Sequence, residues 1–222
     1  MERLGDCMYR QICKYEEECT DQCRRYLLTR HLLNMSNIPE NKRCVNELIP
    51  AKQDVEAYKQ LIDIKSNIED FVFDGRILYL WSNNCGNGKT TWSIKLALQY
   101  INAIWNHYYE NPACVFIPTA DFLYKCKCFD NPSLVKEAQE LRKKAEKAEL
   151  VIFDDIACEY ISKYDYAALL SLMDLLSVSG RAMIVTSNYS PQELQNILGN
   201  KIQSRLCNDY VIELKGNDRR DN

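Results

Sequence analysis

Ile77-Leu78-Tyr79-Leu80-Trp81-Ser82-Asn83-Asn84-Cys85-Gly86-Asn87-Gly88-Lys89-Thr90 joins an apolar pentapeptide to a glycine-containing turn. The pentapeptide is a short continuous apolar run, the pattern of a strand buried on both faces. The last eight residues fit G-x-x-x-x-G-K-[ST] at every fixed position but the first. Gly86 and Gly88 let backbone N–H groups turn inward around phosphate oxygens. Lys89 supplies a point charge for β- and γ-phosphates, and the Thr90 hydroxyl ligates Mg²⁺. The helix that opens here favours anions at its N-terminus. Asn83 replaces the first Gly, and Asn tolerates positive φ, so the departure is mild. A turn with an incidental Lys is the bland alternative, and the strand-to-helix context argues against it. Nucleotide contact is therefore expected from Asn83, Asn84, Cys85, Gly86, Asn87, Gly88, Lys89, Thr90 and Thr91. Cys85 inside the loop would make binding thiol-sensitive, although packing explains it more simply.

Outward from this loop, strands alternate with helical stretches. A helix follows from Gly88 towards Tyr108. Cys114-Val115-Phe116-Ile117 reads as a strand stopped by Pro118, and Leu150-Val151-Ile152-Phe153 and Ala182-Met183-Ile184-Val185 as two more. Asn131-Pro132 looks like a cap with proline in the first turn of a helix that continues to Ala148. Leu169, Leu172, Met173 and Leu176 recur at i, i+3, i+4, i+7, an amphipathic helix. Ser190-Pro191-Gln192-Glu193 combines a capping box with proline at N1. Tyr210-Val211-Ile212-Glu213-Leu214 is a fifth strand. This alternation predicts an α/β fold, a five-stranded parallel sheet covered on both faces. Residues 36–75 read as a linker with Pro39 and Pro50 and then a helix over Asp54–Phe71. No internal repeat is visible.

The residues around the other strand ends complete an ATPase pattern. Leu150–Phe153 runs into Asp154-Asp155 at a C-terminal strand end, where ligands sit in open α/β sheets. Asp154 would hold Mg²⁺ through water, and Asp155 would orient the attacking water. A helix N-cap is the alternative role for such a pair. Thr186-Ser187-Asn188 ends the next strand, and the Asn188 amide would hold that water or the γ-phosphate from the opposite side. Its alternative role is a turn residue before Ser190. Ser204-Arg205-Leu206 precedes the last strand; Arg205 is either a finger acting on a neighbouring subunit's γ-phosphate or a surface charge.

Composition bounds the rest. The chain has 222 residues, 46% hydrophobic and 27% charged, with 7 Gly and 6 Pro. This excludes collagen-like, low-complexity and wholly disordered chains. A formal charge of −3 excludes a generally basic nucleic-acid binder, so any DNA contact must come from local patches. No apolar run spans a membrane and the first residues lack a secretion signal, so a cytosolic protein is expected. Its 11 Cys are then thiols, metal ligands or core residues rather than disulfides. Cys7, Cys13, Cys19 and Cys23 fall within 17 residues. Four thiolates can close a tetrahedral Zn²⁺ site and fold a segment too small for its own core. The x5, x5, x3 spacing is looser than a usual zinc knuckle. An iron–sulfur cluster and plain thiols on a helical hairpin stay open. His31 is a spare ligand or a surface helix residue.

Taken in order, the phosphate loop, the apolar strand with Asp154-Asp155, Thr186-Ser187-Asn188 and Ser204-Arg205-Leu206 resemble the AAA+ ATPases. Phe153-Asp154-Asp155-Ile156, the run from Val185 to Leu194 and the tail Leu214-Lys215-Gly216-Asn217-Asp218-Arg219-Arg220 are similar to DnaC/DnaI-type replicative helicase loaders, phage- and plasmid-encoded members above all. The likeness covers roughly residues 36–220. It implies an AAA+ core over 76–222, a linker and leading helix over 36–75, and a Cys-rich helicase-docking module over 1–35. It further implies that Asn188 senses the nucleotide, that Arg205 acts in trans, and that Lys201 is a second basic contact. The family's usual Asp-Asp-Ile-Gly-Ala-Glu is altered here at Ala157-Cys158-Glu159. The helical lid of many AAA+ proteins, with its Arg, is not expected after the fifth strand, which leaves nucleotide affinity dependent on subunit contacts.

What the resemblance implies functionally is slow, Mg²⁺-dependent ATP hydrolysis, giving ADP, that loads a hexameric replicative helicase onto single-stranded DNA. The bacterial host cytosol is the implied compartment. The partners are the helicase, the DNA and other copies of the chain. Arg142-Lys143-Lys144 with Lys147 is either a solvated helix face paired with Glu140 and Glu146 or a strand contact, with Lys125, Lys127, Tyr124 and Phe129 nearby. Arg219-Arg220 is a contact or plain tail charge. Three rivals stand beside this reading. They are a transposition helper ATPase of similar core, a P-loop small-molecule kinase, and a scaffold that binds ATP and barely turns it over.

Overall fold

The computed structural model describes residues 7–9, 13, 19–43, 49–107, 110–157 and 162–216. Five strands, β1 (Ile77–Trp81), β2 (Cys114–Pro118), β3 (Leu150–Ile156), β4 (Ala182–Ser187) and β5 (Tyr210–Glu213), form one sheet. Its order is β2-β3-β4-β1-β5 and every neighbouring pair is parallel. Eight α-helices among the described residues complete the layers: α1 (Arg24–Met35), α2 (Val55–Ser66), α3 (Ile68–Phe73), α4 (Lys89–Ile104), α5 (Thr119–Lys127), α6 (Pro132–Lys147), α7 (Lys163–Val178) and α8 (Pro191–Leu206). This is the α/β architecture expected from the alternation of apolar strands and periodic helices.

Strand side chains alternate between two cores. Leu78, Leu80, Phe116, Ile152, Ile184 and Ile212 pack with α1–α4. Tyr79, Val115, Ile117, Val151, Phe153, Met183 and Val185 pack with α5–α8. Burial on both faces explains why these strands read as unbroken apolar runs.

The open edge at β2 is covered locally. Phe116 N–H donates to the Ser36 carbonyl at 2.8 Å, and Asn37 Nδ2 donates to the Phe116 carbonyl at 2.8 Å. Asn37 takes a left-handed backbone, φ 59°, to make this turn. Leu32, Leu33 and Ile38 join the core beside it. Upstream, the Arg25 guanidinium lies 3.7 Å over the Tyr9 ring and its Nη2 donates to Asn102 Oδ1 at 2.7 Å. These contacts tie the segment around Tyr9 and α1 to the end of α4.

Three elements differ from the sequence expectation. The helix over Asp54–Phe71 is two helices, parted at Asn67 (φ −112°, ψ 33°), whose amide donates to the Asp63 carbonyl. α5 follows Pro118 directly, where a simple strand end was expected. α8 is broken at Gly199 (φ 74°, ψ 168°). Tyr108, the Cys158-Glu159 departure and the Arg219-Arg220 tail lie outside the described residues. No helix among the described residues is long and apolar enough to cross a membrane.

Candidate nucleotide site

The loop between β1 and α4 wraps a cleft of about 480 Å³, lined by Cys85 to Thr91 with Asp155, Thr186 and Asn188. Two residues give the loop its curvature, Gly86 at φ 68° and Gly88 at φ 103°. In this region a side chain is disfavoured, so glycine is the natural occupant. Asn83 has no left-handed backbone among the described residues. Asn83 thus makes no use of a tolerance for positive φ; the left-handed positions of the loop are Gly86 and Gly88.

Lys89 is buried at the helix start, with 8% exposure. Its ammonium donates to the Asn84 carbonyl at 2.9 Å and the Ser82 carbonyl at 3.4 Å, and lies 3.5 Å from Asn87 Oδ1. The cation is thus held by the loop it would use to grip a polyphosphate. Asn87 is fully buried, and its side-chain amide donates to Ser82 Oγ and to the Leu214 carbonyl.

Parallel register brings the other groups to the same sheet edge. Thr90 Oγ1 and Thr186 Oγ1 both donate to Asp154 Oδ1 at 2.8 Å. The Thr186 hydroxyl also accepts from Asp155 N–H at 2.8 Å. β3 is irregular between Phe153 and Ile156, and Asp155 sits at φ 57°. The irregularity turns the Asp155 carboxylate towards Asn188, whose Nδ2 donates to Asp155 Oδ1 at 3.0 Å. Burial pushes the Asp155 carboxyl above its ordinary range, the charge of Asp154 adds to the rise, and Lys89 opposes it. Thr90 and Asp154 are hard oxygen donors meeting beside a phosphate-type loop, a donor set that fits Mg²⁺. Sequence reading assigned no role to the Thr186 hydroxyl.

Beyond the loop, the segment after β5 is gripped from two sides. Asn84 Nδ2 donates to the Lys215 and Gly216 carbonyls at 3.3 and 3.2 Å, and Gln53 Nε2 donates to the Lys215 carbonyl at 2.7 Å. The fully buried Asp54 carboxylate accepts from Lys215 N–H at 2.6 Å and from Gly216 N–H at 3.1 Å. A Cβ on Gly216 would stand 2.5 Å from Asp54 Oδ2.

Arg205 is not at this cleft. α8 runs from the C-terminal edge of the sheet to the opposite edge, where β5 begins beside Leu78. There Arg205 pairs with Asp174, and exposed Lys201 contributes its carbonyl to the Arg205 guanidinium. Several of the basic residues considered for DNA are engaged within the chain. Lys125 bridges Asp121 and Glu137, Lys127 pairs with Asp165, and Arg142 with Glu146. Tyr124 and Phe129 are exposed, and Phe129 packs edge-on against Tyr164.

Cys7, Cys13 and Cys19 are partly buried and Cys23 is exposed, all as free thiols. Burial pushes the Cys7 thiol up, a backbone hydrogen bond at Tyr9 opposes the rise, and Cys19, Cys13 and Cys23 add to it. Among the described residues no group of three or more His, Cys, Asp or Glu side chains is arranged to hold a metal ion. His31 is exposed on α1.

Parallel order, phosphate loop and acidic strand end together define an α/β fold of the P-loop type. No family model matches the chain, and no curated protein matches it. Among solved structures it is similar to DnaI, at 16% identity and TM-score 0.63 over 83% of this chain and 95% of that one. It is likewise similar to the DnaC helicase loader, at 16% identity and TM-score 0.62 over 84% and 99%. AMPPCP-bound DnaA from Aquifex aeolicus aligns at 17% identity and TM-score 0.56 over 78% of this chain and 50% of that one. The chain thus spans about half of that DnaA chain and nearly all of the solved DnaC and DnaI chains.

Proposed function

We propose that this chain is an ATP-driven loader that places a hexameric replicative helicase on single-stranded DNA in the bacterial cytosol. The observation that carries the reading is the joining of Thr90, Asp154, Thr186, Asp155 and Asn188 through hydrogen bonds beside the phosphate loop, in a fold shared with the solved chains of DnaC and DnaI over nearly all of their length. The loop from Asn83 to Thr91 wraps the phosphates, and Lys89 exchanges its loop carbonyls for β- and γ-phosphate oxygens. Thr90 and Asp154 hold Mg²⁺, which neutralises phosphate charge. Asp155 orients the attacking water, and Asn188 fixes the Asp155 carboxylate. Arg205, at the opposite sheet edge, serves the γ-phosphate of a neighbouring subunit, which makes turnover depend on assembly. The AMPPCP complex of the similar DnaA supports nucleotide binding.

We assign residues 1–35 to helicase docking, 36–75 to the linker and leading helix, and 76–222 to the ATPase. Zinc at Cys7, Cys13, Cys19 and Cys23 is proposed from their spacing alone, because the described geometry does not assemble a metal centre. Elemental analysis of protein purified without added metal should then give about one zinc per chain. Cys13→Ser should release it and weaken helicase capture while sparing ATP binding. A metal-free protein that still captures its helicase would remove zinc from the account.

Lys89→Ala should abolish binding of a fluorescent ATP analogue, whereas Asp155→Asn should bind normally and lose turnover. Affinity capture from host lysate with ATP should recover the replicative helicase with wild type and not with Lys89→Ala. Recovery of a transposase instead would favour the transposition-helper reading.

A further inference from the structure

We infer that Asp174 is the positioning residue for Arg205, fixing the direction in which its guanidinium is presented to the neighbouring subunit; this rests on the proposed trans role of Arg205. Asp174 lies near the end of α7 and Arg205 near the end of α8, and both helices descend to the same edge of the sheet. Arg205 Nε sits 2.6 Å from Asp174 Oδ1, and its Nη1 donates to the Lys201 carbonyl at 2.8 Å. A guanidinium is planar and rigid, so the hydrogen bond at Nη1 and the ion pair at Nε hold it at two points. Nη2 keeps no partner among the described residues and is the nitrogen left to reach outward.

The need for such an anchor follows from the helix itself. The break at Gly199 separates the last turns of α8 from the part that follows Ser190. Ile202 and Leu206 bury the inner side of those turns against the sheet. On the outer side, the ion pair with α7 supplies the lateral hold. The two side chains keep 33% and 41% exposure. Exposed pairs add little to stability. The pair's effect is therefore on where Arg205 points, not on whether the chain folds.

A mixing experiment tests this, with Mg·ATP and oligo(dT) to promote assembly. Lys89→Ala chains donate the finger and Arg205→Ala chains donate the nucleotide site; each is inactive alone and the mixture recovers turnover. Adding Asp174→Ala to the finger donor should lower kcat of the mixture about tenfold at unchanged KM, a fraction of the 10³–10⁵ that losing a finger costs related enzymes. The same change in the site donor should have no further effect, and Asp174→Glu in the finger donor should restore most of the rate. If Arg205→Ala alone turns over like wild type, the trans reading itself falls. If the mixture recovers but Asp174→Ala lowers neither arm, lowers both equally, or raises the rate, the positioning role is overturned.

Discussion

The Thr186 hydroxyl spends its hydrogen on Asp154 and its lone pair on the Asp155 amide, so one buried side chain orients both acids. Thr186→Val keeps the volume and removes both bonds, leaving the Asp155 N–H without its acceptor at a cost of about 1–3 kcal/mol. ATP analogue binding should persist, since Lys89 and the loop are untouched. Turnover should fall on the order of 10–100-fold, the scale of a misplaced catalytic group; a steady-state ATPase assay checks both halves. Asp154, Asp155 and Asn188 were legible from their place after apolar runs. Thr186 was not, because a β-branched residue closing a buried strand is explained by packing alone. Only the register pairing Phe153 with Val185, and the irregularity that follows it, bring that hydroxyl between two carboxylates. Asn87 is a similar case: the motif marks its position, not the bonds of its side chain to Ser82 and Leu214.

Among the elements, α7 has the most fully secured N-terminus. Ser162 and Asp165 form a reciprocal capping box, and Lys127 from the end of α5 pairs with the same carboxylate at 3.0 Å. Burial pushes the Asp165 carboxyl up, but the Ser162 hydrogen bonds and the Lys127 ammonium outweigh it and hold the group below its ordinary value. The folded chain thus binds this proton less tightly than the unfolded chain. The stability it contributes is complete above the ordinary carboxylate value of about 3.9 and is lost as pH falls below that towards the depressed value. Asp165→Ala should cost about 1–2 kcal/mol in urea unfolding at pH 7. Its deficit relative to wild type should shrink at pH 3. The α7 periodicity was readable, whereas α5 was hidden because Pro118 looks like a stop and nine residues give too little period to read. Asn67 splits the leading helix for a local reason, the capping of α2 by its own side chain.

At the scale of the molecule, both faces of the sheet were legible, since runs such as Leu78–Leu80 and Val151–Phe153 have no polar alternation to spare one face. What covers the edges was not. The Ser36–Asn37 turn on β2 depends on a single left-handed asparagine and a tertiary contact with Phe116, and neither leaves a periodic trace.

The grip of the phosphate loop and Asp54 on Leu214–Gly216 predicts that the end of β5 responds to occupancy of the loop. Asn84 and Asn87 serve the Lys89 ammonium and these carbonyls together, so a ligand that reorganises one must be felt by the other, by equal amounts in both directions. Hydrogen exchange reads one direction: the Lys215 and Gly216 amides, which donate to Asp54, should exchange more slowly once ATP analogue is bound. Gly216→Ala reads the other, since its Cβ displaces the Asp54 carboxylate and should weaken nucleotide affinity several-fold, about 1 kcal/mol, from a residue that touches no phosphate. Unchanged exchange and unchanged affinity would show the two ends to be independent. Otherwise the protein carries its own label-free reporter of nucleotide state, one amide pair long, just beyond β5.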